Sequence, residues 1–302
     1  MAQLVVGIDL GGSFIKGVLT DRLGKVRRWE RVPTEREKGA EHVLNRVKST
    51  VNTLTQGGEA LAAVGVGIPG MLDRDRERVF LAPNLGWRDI KIRSELRRLI
   101  GVPVFLDNDA NAAALGEAWL GAARHSSSFM LVTIGTGIGS GLVLGGEIYR
   151  GANGLAAELG HMGLLPQGTR CSCGQRGCLE TLVSAGAILH EAREASVVQE
   201  GAEAREVLEL ANSGNKEAVG VVAEAMEYLA LGLKNTIVLL DLELILIGGG
   251  VGDSSAGFID MLRDRTIDLL PVKREVKIKQ AILGNRAGAL GAARLALLEL
   301  GS

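Results

Sequence analysis

This chain of 302 residues lacks a charge of one sign, a long apolar run and a basic leader. Its 34 Lys and Arg against 35 Asp and Glu leave a formal net charge of −1, so bulk electrostatics draw it neither to nucleic acid nor to an anionic membrane. No uninterrupted apolar stretch is long enough to span a bilayer; residues 239–247 are broken by Asp241 and Glu243. The first nine residues have no basic lead-in and reach Asp9 at once, which reads as a buried strand and not a signal peptide. Proline- or serine-rich linkers are also missing. With only six prolines and few aromatics (three Trp, two Tyr, five Phe), glycine is the outlier at 42. The glycines cluster at strand ends, where the backbone must approach something closely. Length and a composition of 46% hydrophobic and 23% charged residues suit one large or two ordinary globular domains.

Cysteine is scarce too, and its placement is informative. All three fall within eight positions, Cys171, Cys173 and Cys178, and Cys171 follows His161 by ten residues. Three thiolates and an imidazole form a tetrahedral zinc ligand set, and Gly174 and Gly177 permit the tight path back to one ion. The competing reading, a disulfide, leaves one thiol over, and Cys171 and Cys173 are too close for an easy bridge. Free thiols poised for metal favour a reducing compartment, with the cytosol as default. Glu158 and Glu180 flank the cluster.

Strand signals at 4–9, 14–20 and 25–31 precede a helical stripe over 40–54, a strand at 63–68, a basic amphipathic helix at 90–100, a strand at 102–106 and an alanine-rich helix at 109–120. A second such pattern opens with strands at 129–134 and 140–144. Helices at 182–195, 202–211 and 216–240 follow, then a strand at 244–247, a helix at 256–270, a strand at 276–280 and a closing helix at 287–298. Each half begins with a strand–glycine turn–strand hairpin. That layout predicts an α/β fold of two lobes with a cleft between them and ligands outside the strand ends. The expected division is a small lobe over 1–117, a large lobe over 118–286 carrying the zinc site, a hinge near 117–125, and a final helix at 287–302 packing back on the small lobe.

The first glycine turn runs Asp9-Leu10-Gly11-Gly12-Ser13-Phe14-Ile15-Lys16. Gly11 and Gly12 can aim main-chain N–H groups at phosphate oxygens, Ser13 can add a hydroxyl and Lys16 a positive charge. Asp9, acceptor-only, needs a cation between itself and phosphate; magnesium through water would serve. A plain β-hairpin explains the same glycines. A second turn, Gly135-Thr136-Gly137-Ile138-Gly139, holds the matching place in the other half, so the two could clasp a polyphosphate from both sides. Gly248-Gly249-Gly250, after the strand at 244–247, leaves room for a flat base, or is a simple strand-to-helix turn. The Walker A pattern is absent, and no GxGxxG opens a helix after the first strand.

Together these motifs resemble the ROK family (repressor, open reading frame, kinase) of the sugar kinase–actin–Hsp70 superfamily. The resemblance rests on the two phosphate turns, Asp107-Asn108-Asp109-Ala110-Asn111, Glu158-Leu159-Gly160-His161, the CxCGxxGCLE string at 171–180 and Gly248-Gly249-Gly250. It covers residues 4–298 in the family's order, with Ser13 standing where the family usually has threonine. It implies the actin-like ATPase (ribonuclease H-like) fold and an ATP-dependent hexose kinase using magnesium, with structural zinc. Repressors of the family carry an added N-terminal winged helix; the first phosphate strand starts here at Leu4, which favours the kinase branch.

The resemblance further implies the residues of the site. Asp109 is the expected general base, accepting the proton of the attacking hydroxyl. It begins a helix whose N-terminus should lower its pKa. Asp107, Asn108 and Asp109 are all equally good helix caps. Asn108, Glu158, His161 and Glu180 resemble the sugar contacts, with Glu180 alternatively a helix cap and Glu158 a surface carboxylate. His161 would give one nitrogen to zinc and keep a proton on the other. Gly70 and Asn84 look like the small-lobe wall of the pocket; Trp87 reads as core more readily than as a stacking platform. Asn84-Leu85-Gly86-Trp87 is nearest the glucokinase branch; mannose, N-acetylglucosamine, N-acetylmannosamine or fructose are the other hexoses implied. A homodimer or homotetramer is expected, and no nucleic-acid or membrane partner.

Overall fold

The computed structural model describes residues 3–56, 58–252 and 257–301. Three chain segments build a first sheet: the hairpins β1 (Leu4–Leu10), β2 (Phe14–Asp21) and β3 (Val26–Pro33), then β4 (Leu61–Ile68) and β8 (Val104–Asn108). Its order is β3-β2-β1-β4-β8, antiparallel through β1 and parallel beyond it. A second sheet of β9 (Phe129–Ile134), β10 (Ile138–Leu144), β11 (Glu147–Ile148), β12 (Leu244–Gly248) and β13 (Lys277–Gln280) has the order β11-β10-β9-β12-β13. Strand for strand, the two share one topology and the same antiparallel-to-parallel switch. The repeat legible only as a layout is therefore a duplication of topology.

Each sheet has its own core. The first packs β1 and β4 side chains such as Ile8, Leu10, Val64 and Val66 against α1 (Ala40–Leu54) and α2 (Arg93–Ile100). The second packs Val132, Ile134, Ile245 and Ile247 against the helical layer. That layer comprises α4 (Glu180–Val183), α5 (Ala185–Glu194), α6 (Ala204–Asn212), α7 (Lys216–Leu240), the one-turn α8 (Gly249–Gly252) and α9 (Phe258–Asp268). No described helix is long and apolar enough to cross a membrane.

Two helices lie between the sheets: α3 (Asp109–Leu120) and the last helix, α10 (Ala287–Leu300). α10 lies on the first sheet, where Ala289, Leu290 and Ala293 bury against Val5, Val18 and Ala63. The approach is backbone to backbone: a Cβ on Gly291 would fall 1.5 Å from the Ala112 carbonyl oxygen of α3. This explains the run of small residues in both helices. Where α3 ends, the fully buried Glu117 accepts the N–H groups of Ala122 and Leu283 at 2.8 Å each. It thereby ties together the two crossings between the sheets, at the position expected for a hinge.

Several expected boundaries differ in the structure. The helix expected from 90 starts at Arg93, because Ile90 pairs with Val79 in a third, three-stranded sheet of β5 (Met71–Leu72), β6 (Arg78–Ala82) and β7 (Trp87–Lys91). These strands are too short and too charged to show as a periodic pattern. The helix expected over 182–195 is two, since Ser184 is extended and caps α5 through the Ala187 N–H at 3.2 Å. Helix α9 begins at Phe258, and the expected start at Ala256 lies outside the described residues, as do residues 1, 2 and 302 of the expected boundaries. β10 begins two residues early, at Ile138.

Candidate active site between the two sheets

The parallel strand β8 delivers Asp107 and Asn108 to its carboxyl end, and α3 starts there. Asn108 is the cap: its Oδ1 accepts the N–H groups of Ala110 (2.9 Å) and Asn111 (3.3 Å). That settles the choice among three possible caps and leaves Asp109 one residue inside the helix, facing the cleft. The Asn108 Nδ2 donates to the Gly70 carbonyl at 3.1 Å, so this amide is already largely engaged. The same end of α3 lies on β10, where a Cβ at Gly141 would sit 2.6 Å from the Ala110 oxygen. Asp109 therefore stands where the two sheets meet.

The expected lowering of its pKa does not occur. Burial pushes the Asp109 carboxyl up to about 6, helped by the nearby charges of Asp9 and Glu158, and the N–H donors at the helix start offset only part of this. Desolvation, reinforced by the other carboxylates of the cleft, outweighs the helix terminus.

Across the cleft, Glu158 precedes a short 3-10 turn, Leu159–His161. Ser140 of β10 holds this turn: its Oγ donates to the Ala157 carbonyl and accepts the Leu159 N–H at 3.2 Å. Burial raises the Glu158 pKa, and Glu180 adds to the rise while His161 opposes it. A single cavity gathers Gly70, Asn108, Asp109 and Glu158, together with Asp107, Asn111 and Arg150. Asn84 stands apart from it: exposed, with its carbonyl oxygen 2.7 Å from where a Gly12 Cβ would lie, it overhangs the first glycine turn. Trp87 is core, 3% exposed.

His161, Cys171, Cys173 and Cys178 converge, with all ligand atoms within 4.8 Å of one another. The Cys173 and Cys178 sulfurs are 3.6 Å apart, and His161 Nδ1 lies 3.6 Å from Cys171 Sγ. Tetrahedral zinc with bonds of about 2.3 Å needs sulfurs about 3.8 Å apart, so the donors fit that ion in kind and spacing. All three cysteines are free thiols. Burial, then the neighbouring Cys173 and Cys171 sulfurs, pushes the Cys178 thiol up to about 12, so a third thiolate forms here only beside a cation. With Nδ1 on the metal, the His161 proton stays on Nε2.

Glu180 joins this cluster to the second glycine turn. Its Oε2 accepts the Ile138 N–H at 3.0 Å, and its Oε1 lies 4.0 Å from Cys171 Sγ. Any side chain at Gly137 would collide with that carboxylate, at 2.4 Å. In the turns themselves, the Gly11 N–H, expected to face phosphate, instead closes its own hairpin onto the Phe14 oxygen at 3.0 Å, and Gly135 does the same onto Gly137 at 2.9 Å. Lys16 holds Asp9 at 3.1 Å. Gly12, Ser13 and Thr136 sit at the tips of the two turns. Gly249 (φ +86°) packs on the end of β9 and brings the third glycine cluster beside the second turn. Sequence reasoning missed Arg150 altogether and gave Asp107 and Ser140 no role beyond their motifs; a lone arginine after a two-residue strand carries no signal of its own.

A duplicated sheet topology with carboxylates and glycine turns at the meeting of two lobes defines an actin-like ATPase fold. The chain belongs to the ROK family, whose model matches residues 5–299. It is 34% identical to a glucokinase of Thermotoga maritima over 98% of both chains. Its structure matches that of a ROK family glucokinase from Streptomyces griseus in complex with glucose and AMPPNP, with a TM-score of 0.86, 31% identity and coverage of 98% and 99%. A ROK hexokinase from Thermus thermophilus matches with a TM-score of 0.88, 37% identity and 99% coverage of each chain.

Proposed function

We propose that this protein is an ATP-dependent hexose kinase that phosphorylates glucose at its 6-hydroxyl. The observation that carries the reading is Asp109: a carboxylate with a pKa raised to about 6, in a cavity it shares with Gly70, Asn108 and Glu158. A base tuned close to neutral pH, yet ionised there, suits removal of a proton from an attacking alcohol. Asn108, held by Gly70, and Glu158 orient the sugar from either side, and His161 donates from Nε2. Gly12, Ser13 and Lys16 meet the phosphates from the first lobe, and Gly135, Thr136 and Gly137 from the second; Gly248, Gly249 and Gly250 leave bare backbone for the adenosine. Asn84, next to Gly12, is assigned to the rim of the pocket.

Zinc on His161, Cys171, Cys173 and Cys178 would hold Glu158 and Glu180 in place as a structural ion. Magnesium, held by Asp9 through water, would neutralise polyphosphate charge. Closure of the lobe over 1–117 onto that over 118–286 excludes water, so the phosphoryl group passes to sugar and not to solvent. A cytoplasmic location and a homodimer or homotetramer complete the proposal.

The test is release of ADP, followed by a coupled assay, over a panel of glucose, mannose, fructose, N-acetylglucosamine and N-acetylmannosamine. Glucose is expected to give the highest kcat/KM. Tight hexose binding without turnover would replace this reading with that of a sugar-sensing regulator.

A further inference from the structure

Arg150 lies two residues beyond β11, at the edge of the second sheet, yet its guanidinium reaches the first. It donates to Asp107 Oδ2 through Nε at 2.9 Å and Nη2 at 2.6 Å. Asp107 is 3% exposed, and its other oxygen accepts the Asn108 main-chain N–H at 2.8 Å and Asn111 Nδ2 at 2.9 Å. One buried carboxylate thus holds the residue that caps α3, a second residue of the first helical turn, and an arginine from the opposite sheet.

The main chain of Arg150 is tied as firmly as its side chain. Its carbonyl oxygen accepts the Ala156 N–H at 3.0 Å, closing the loop that returns to Glu158. Gly154 in that loop lies against the β5–β6 turn, a Cβ there being 3.4 Å from Arg74 Cα. Arg76 is no substitute partner for Asp107: it is 4.0 Å away and sits 2.8 Å from Glu299 of α10. Without Arg150, the Asp107 carboxylate would be buried with no hydrogen-bonded cation, a state it escapes by reorienting. That movement shifts the Asn108 peptide and, with it, the next residue, Asp109.

We infer that Arg150 is a positioning residue for phosphoryl transfer, a clamp that sets the spacing between Asp109 on one lobe and Glu158 on the other. The inference rests on the kinase reading above. Arg150 itself touches neither phosphate nor the reacting hydroxyl in this role; it acts through Asp107 and through its own loop.

The full-length chain and its R150A and R150K variants are compared in steady-state kinetics with glucose and ATP varied in turn, alongside thermal melting. In R150A, kcat/KM for glucose is expected to fall about 100-fold, the effect of a misplacement of about 1 Å, with KM for ATP within about two-fold of wild type. R150K, which keeps the charge but offers a point donor in place of the fork, is expected to fall between the two. R150A kinetics within about two-fold of wild type overturn the clamp, as does a rise in KM for ATP equal to that in KM for glucose that tracks a lowered melting temperature. Should R150A not fold, R150K is read by the same split between substrates. A wild-type chain that phosphorylates no hexose overturns the kinase reading and the clamp with it; an active wild type with an unperturbed R150A overturns the clamp alone.

Discussion

Replacing Asp109 with Asn should destroy turnover and raise stability, two effects of opposite sign from one buried carboxyl. The folded protein holds this group at about 6 against an ordinary value of 3.8. A folded-state pKa above the unfolded one means that the native state binds the proton more tightly. The stability this provides is complete below 3.8 and is lost as pH climbs from there through 6. Above that range the charged group carries a penalty of about 3 kcal/mol if its desolvation is fully felt. Water reaching the carboxylate through the cleft mouth screens it, so about 1–2 kcal/mol is the realistic release in the Asn variant. That corresponds to a rise in melting temperature of about 2–3 °C at pH 7.5, shrinking towards nothing below pH 4. The amide cannot accept the hydroxyl proton, and kcat should fall about 10²–10⁴-fold. Scanning calorimetry at several pH values, beside ADP release, measures both. A variant that melts no higher than wild type at pH 7.5, or one that keeps most of its turnover, refutes the reasoning.

The same group governs pH dependence: kcat/KM for glucose should climb with pH through an acid limb near 6, and a profile flat down to pH 4.5 would remove Asp109 from the role of base. Cys173→Ser should cost bound metal by elemental analysis, lower the melting temperature and weaken glucose binding about 10–100-fold, if the cluster orients Glu180 and Glu158 as proposed; a metal-free variant of unchanged glucose affinity would separate cluster from pocket. Gly291→Ala would press a methyl group to 1.5 Å from the Ala112 oxygen, where backbone faces backbone. A loss of about 3 kcal/mol or more is expected, seen as reduced soluble yield and melting temperature, and a wild-type melt would show that α10 can move away from α3.

Much of the fold was open to reading because it rests on local rules. Alternating or continuous apolar runs marked nine of the thirteen strands, the stripe from Val43 to Leu54 marked α1, and the Ala-rich stretches marked α3 and α10. The strands that escaped notice, β5, β6, β7 and β11, are two to five residues long and exist through their pairing partners. The Cys3His cluster was legible because one short segment supplies three of its four residues. Asn108 outcompeting two equally good caps was not legible, nor was the use of Gly11 to close its own turn, since both depend on which group the folded backbone presents.

Residue type and spacing along the chain therefore determined the duplicated α/β layout, the Cys3His cluster and the glycine turns, because each is a property of neighbours in sequence. Tertiary structure alone decided the protonation behaviour of Asp109, the place of Asn84 over the first turn and the bond from Arg150 to Asp107. These are electrostatic and steric relations between segments tens of residues apart, and distance through space, which one-dimensional order does not encode, sets their strength.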